Sequence, residues 1–137
     1  RQYWKYLSIG TDWNPTGTEN ILEEVRFLLK QFRANNIEVT PQICRTLLEM
    51  MTVNPARVIK MPVGELKDNC LAELWVGRFP TNLLFPQGNF KADSTELVDF
   101  LLRRFDYQNN LLQVFSKGRL VYSQTEAPGL QKLQLRN

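Results

Sequence analysis

Leu7-Ser-Ile-Gly-Thr-Asp-Trp-Asn-Pro-Thr-Gly-Thr-Glu-Asn-Ile-Leu-Glu-Glu24 is the stretch on which the reading of this chain turns. The aromatic and aliphatic run Tyr3 to Ile9 stops at Gly10 and reads as a buried β-strand. Thr11 to Thr18, punctuated by Pro15 and Gly17, reads as a turn carrying one carboxylate, Asp12. Ile21, Leu22, Val25, Leu28, Leu29 and Phe32 then recur at offsets 0, 1, 4, 7, 8 and 11. That is one wide helical stripe, and it predicts a helix over 19–34. Thr18 is the expected N-cap, and Glu19, Glu23 and Glu24 complement the helix dipole. Strand, polar turn with a carboxylate, then amphipathic helix is how a (β/α)₈ barrel presents a catalytic residue at the C-terminal end of a strand. The chain contains no histidine. A lone Asp12 cannot hold a metal ion, so most of such a site must come from outside these residues.

Further along, Thr40-Pro41 is a helix start with proline at the first helical position. Ile43, Leu47, Leu48 and Met51 continue that helix. Asn54-Pro55 repeats the signal, with Asn54 as cap and a short helix over 56–60. Pro62 and Gly64 break the pattern. Leu71 to Val76 alternates as a strand, and 77–93 reads as a long loop. Ser94 caps a helix over 94–106, expected to cover a sheet through Leu97, Leu101 and Phe105. Residues 111–116 and 119–123 form a hairpin around Lys117-Gly118. Residues 125–137 show little pattern beyond Leu130, Leu133 and Leu135. Helices give way to strands near Met61 to Leu66, and the expected sheet has only three strands, which is thin for independent stability.

The 137 residues suit one domain of ordinary size; 43% are hydrophobic and 23% charged, which excludes wholesale disorder. The net charge is only +3, and Lys and Arg are scattered. A nucleic-acid binder gathers them on one face, so no nucleic-acid partner is expected. Cys44 and Cys70 are too few for a disulfide scaffold and read as reduced, partly buried thiols. No apolar run approaches the roughly 20 residues of a membrane span, and no signal-peptide pattern is present. A cytoplasmic protein without a membrane partner is expected. The chain opens at Arg1 without methionine and enters a strand at once, which reads as a segment of something longer.

Four stretches carry a family resemblance. Gly10, Thr11, Asp12, Trp13, Pro15, Gly17, Asn20, Leu22 and Glu23 match the eighth-strand motif of the amidohydrolase superfamily, with Thr16 where that motif has serine. The likeness is to the branch of triazine chlorohydrolases and aminohydrolases of nitrogen heterocycles. Met51-Thr-Val-Asn-Pro-Ala-Arg57 resembles the family's Thr-x-Asn-Pro-Ala-Arg helix start. Val63-Gly-Glu-Leu-Lys-Asp-Asn-Cys-Leu-Ala-Glu-Leu-Trp-Val76 resembles its Gly-x-Leu-x-x-Gly-x-x-Ala-Asp-Leu-x-Val strand. Leu112-Gln-Val-Phe-Ser-Lys-Gly-Arg-Leu-Val-Tyr122 resembles its closing strands. Asn69 stands where the family has glycine, and Glu73 where it has aspartate; both positions shape a turn and a strand entry. The family's histidine ligands lie on strands before this segment.

The resemblance implies an α/β chain that is an incomplete part of a larger fold. Residues 1–62 would be the C-terminal part of a (β/α)₈ TIM-type barrel, its last strand and following helices. Residues 63–137 would be part of a small β-sandwich domain with one covering helix. The complete enzyme would hydrolyse C–N or similar bonds of nitrogen-containing ring compounds with a divalent metal, zinc or iron; this chain alone would carry no cofactor. In such enzymes the aspartate at this position binds the metal or sits beside it and relays a proton. That role falls to Asp12, which otherwise braces the turn before the helix. Trp13 would wall the substrate pocket, or else pack as a loop tryptophan. Asn20, Glu23 and Glu24 read as helix-start residues, and Asp93, Asp99 and Asp106 as solvated charges. The implied partners are a small-molecule substrate and the missing N-terminal barrel portion, whose absence would bare an edge inviting self-association. The rival reading is a non-catalytic remnant serving as an interaction or structural module.

Overall fold

A computed structural model describes residues 3–11, 20–84 and 95–124. It combines helices with a small antiparallel sheet, a mixed α/β chain. The first helix, α1, runs Ile21–Ala34 and buries Leu22, Val25 and Leu29, three members of the predicted stripe. Its cap is Asn20, whose side-chain oxygen accepts from the backbone N–H groups of Leu22 and Glu23. The cap therefore lies two residues beyond Thr18, which is outside the described residues. Helix α2, Pro41–Met51, starts as its Thr40-Pro41 signal predicts, with the Thr40 hydroxyl accepting from the Ile43 N–H. Cys44, Leu47 and Met50 face inward.

The short helix α3 spans Val53–Val58, so it starts earlier than expected and contains Asn54 rather than being capped by it. Strand β1 is Leu74–Gly77. A four-residue helix α4, Thr81–Leu84, interrupts what the sequence presents as loop, and the rest of that loop, 85–94, is outside the described residues. Helix α5 is Thr95–Arg104, α6 is Tyr107–Asn110, and the hairpin strands are β2, Leu111–Ser116, and β3, Arg119–Ser123. The sheet order is β1-β2-β3, all antiparallel. Ser116 pairs with Arg119 across Lys117-Gly118, whose φ angles are 50° and 74°. Positive φ at both central residues is the type I′ geometry that matches strand twist.

Two expectations fail in informative ways. Residues 3–9 are not a strand: Trp4–Tyr6 is a single 3-10 turn, and the chain from Leu7 to Thr11 forms no ladder. A strand needs a neighbour to take its N–H and C=O groups. None pairs with it among the described residues, and side chains take the carbonyls instead. Helix α5 also covers the sheet less than expected. Its main partners are α1 and α2, and Leu102 is its fully buried residue. Phe105, just past its end, meets the sheet, with its ring 4.8 Å from that of Trp75. The same ring occupies the space where Gly77 would carry a Cβ, 2.7 Å from that position, so a side chain at 77 would displace it. One buried cluster thus draws Val25, Leu29, Leu47, Leu102 and Phe105 together across residues 61–66.

Candidate functional site

The site predicted at Asp12 and Trp13 lies outside the described residues; its approach does not. The 3-10 turn at Trp4–Tyr6 rests on α2 and α3. Asn54, only 2% exposed, donates its side-chain amide to the carbonyl oxygens of Trp4 and Leu7, each at 2.9 Å. Its own oxygen accepts from Arg57 at 3.3 Å, and Arg57 also reaches the Lys5 carbonyl at 3.4 Å. A buried amide with both hydrogens and its oxygen engaged is fully satisfied, so its burial carries no desolvation penalty left unpaired. Two residues on, the Ile9 N–H donates to the Met50 carbonyl at 3.0 Å. Lys5 stacks over the Tyr6 ring, 5.0 Å from its centroid. Sequence reasoning missed this role for Asn54, because an Asn before Pro carries the same signature whether it caps a helix or reaches a distant backbone.

The other motif residues are also joined. Gly64 has φ of 85°, and a Cβ there would lie 2.7 Å from the Thr52 carbonyl oxygen, so glycine is required twice over. Asn69, where the resembling family has glycine, has φ of 64°, a left-handed conformation that asparagine tolerates better than most residues. The Glu73 carboxylate accepts from the Ser116 hydroxyl at 3.1 Å and the Lys117 N–H at 2.9 Å. The Gly118 N–H donates to the Ala72 carbonyl at 3.0 Å. Glu73 therefore holds the hairpin turn.

Cavities also lie among the described residues. One, of about 410 Å³, lies between α2 and α5 and is lined by Val39, Cys44, Asp99, Phe100 and Arg104. Burial pushes the Cys44 thiol above its ordinary range, against a smaller opposing pull from Arg103. Arg103 is itself paired with Asp99, so Asp99 is an ion-pair partner rather than a solvated charge. Another cavity, of about 350 Å³, adjoins the start of α1 and is lined by Asn20, Glu23, Arg26, Phe105 and Tyr107. Arg26 there pairs with Glu23 and donates to the Phe105 carbonyl. Burial raises the Tyr107 hydroxyl, and Arg26 opposes the shift. Cys44 and Cys70 are both free thiols.

Among the described residues, no three His, Cys, Asp or Glu side chains gather as a metal site. No helix among them is long and apolar enough to cross a membrane. No protein-family model, curated protein or solved structure matches the chain.

Proposed function

We propose that this chain is the C-terminal part of an amidohydrolase-type hydrolase acting on C–N or similar bonds of nitrogen-containing ring compounds. One observation supports the reading: the second, third and fourth stretches that bear the resemblance touch in sequence order, and the second also holds the segment that leads into the first. From within the second, Asn54 donates to the carbonyl of Leu7, three residues before the first begins at Gly10. Gly64 of the third lies against Thr52 and Ala56 of the second. Glu73 of the third holds the turn of the fourth. On this reading, 1–62 comes from the end of a (β/α)₈ barrel and 63–137 from part of a small β-sandwich. Tyr3 and Tyr6, 77% and 60% exposed, and the neighbouring Val58 and Ile59 offer apolar surface to the missing barrel portion.

The chain's own chemical contribution is one carboxylate. Asp12 would take and return the proton of hydrolysis, with Trp13 against the flat substrate. The divalent metal, zinc or iron, would be held by residues that this chain does not contain. The second reading, a non-catalytic remnant acting as an interaction or structural module, is favoured by the closed core around Val25, Leu47 and Leu102. The test joins the chain to a preceding barrel portion bearing the histidines, on one polypeptide or as a second chain. Ammonia release from an aminated heterocycle should appear and fall by about 10²- to 10⁴-fold on Asp12→Asn, the usual worth of a positioned proton carrier. No release from the joined protein leaves the module reading.

A further inference from the structure

We propose that the outer edge of β1 takes the β1 of a second copy of this chain, joining two three-stranded sheets into one. β1 is an outer strand, and its ladder shows which backbone groups are on offer. The Ala72 carbonyl accepts from the Gly118 N–H, and the Arg78 N–H donates to the Asn110 carbonyl, so the backbone at 72 and 78 faces β2. Successive residues of a strand turn their backbone groups to opposite sides. Leu74 and Val76 therefore face β2, while Trp75 and Gly77 point away from it. Among the described residues, no backbone bond outside the ladder reaches Trp75 or Gly77.

The two outer edges of the sheet are not alike. β3 carries a bulge: Val114 pairs with Tyr122 and Phe115 with Leu120, which leaves Val121 unpaired. A bulge twists an edge away from new strands. In the other ladder the skipped residue is Leu112, on β2, so β1 itself is unbroken. Leu74–Gly77 also holds no charge and no proline, the usual means of blunting an edge. Trp75 and Val76, on opposite faces, are 38% and 39% exposed, so both faces still have apolar area to bury.

The strand is complementary to itself. A two-fold axis normal to the sheet sets Trp75 opposite the partner's Trp75, and the two exchange a pair of backbone hydrogen bonds. Leu74 then lies opposite the partner's Val76, Glu73 opposite the partner's Gly77, and Arg78 opposite the partner's Ala72. Aromatic meets aromatic, aliphatic meets aliphatic, and no charge meets its like, which is how antiparallel pairs are stabilised. This self-matching selects a second copy as the occupant. It does not depend on the hydrolase reading.

The experiment uses the 137-residue chain as it stands. Sedimentation from micromolar concentration up to about 1 mM should show the 16.0 kDa monomer giving way to a particle of twice that mass. Amide exchange at Trp75 and Gly77 should slow at least about tenfold across that range, in keeping with hydrogen bonds gained, and exchange at Val121 should not change. Val76→Lys plants a charge opposite the partner's Leu74 and should weaken association at least about tenfold. Val121→Lys, on the bulged edge, should leave association as it was. Exchange in the unaltered chain decides the matter if Val76→Lys does not fold. A chain that stays monomeric up to about 1 mM overturns the proposal. Association that leaves Trp75 exchange untouched overturns it too, since the contact then lies elsewhere, and so does loss of association in Val121→Lys. Slow Trp75 exchange at every dilution also overturns it, by showing that the chain covers this edge itself.

Discussion

The helices and the sheet of this molecule are held together by different physics. Val25, Leu47, Leu102 and Phe105 are fully buried, and all belong to helices or to the residue just after one. No residue of β1, β2 or β3 is buried to that degree. The helical part is stabilised by apolar area removed from water. The sheet depends on its ladder, a two-residue turn and a carboxylate brace, and it meets the core through the Trp75–Phe105 ring contact and Leu111. Damage to the first should therefore spread through the molecule, and damage to the second should stay local.

The largest effect should come from the core. Leu47→Ala should destabilise the whole chain by about 2–5 kcal/mol, seen as a lower denaturant midpoint with helix and hairpin signals falling together. A hairpin that survives loss of the helices would break the claim that Phe105 couples the two regions. A smaller change is expected at the brace. Glu73→Ala leaves the Ser116 hydroxyl and Lys117 N–H to solvent and should cost about 1 kcal/mol, read as faster exchange across 111–123 with α1 and α2 protected as before.

The cysteines sharpen the same contrast. Cys44 is 3% exposed between α2 and α5, whereas Cys70 is partly exposed ahead of β1. A thiol reagent should label Cys70 in the native chain and Cys44 only on unfolding. Because burial raises the Cys44 thiol above its ordinary 9.0, the fold favours its neutral form. That contribution is whole below pH 9.0 and is lost as pH rises through the higher folded value. Stability should therefore decline in alkali, and less steeply in Cys44→Ala, by denaturation at several pH values.

These differences decide what the sequence discloses. Apolar stripes at helical spacing marked α1 and α2 within a residue or two, since burying one face is a local requirement of the pattern. Lys117-Gly118 marked the hairpin, since a type I′ turn demands its φ angles of its own residues. The run at 3–9 misled because aromatic and aliphatic residues favour a strand only where another strand can pair with it. Asn54 misled because its partners lie 47 and 50 residues away. Of the candidate site, the approach through Thr11 is described, whereas Asp12 and Trp13 fall outside the described residues, so their roles still rest on resemblance.

The most direct test of the functional account compares the purified 137-residue chain with the same chain joined to a histidine-bearing barrel portion. Each is given zinc or iron, and metal content and ammonia release from an aminated heterocycle are measured. The account predicts no stoichiometric metal and no turnover for the chain alone, and both for the joined protein. Turnover by the isolated, homogeneous chain would contradict it.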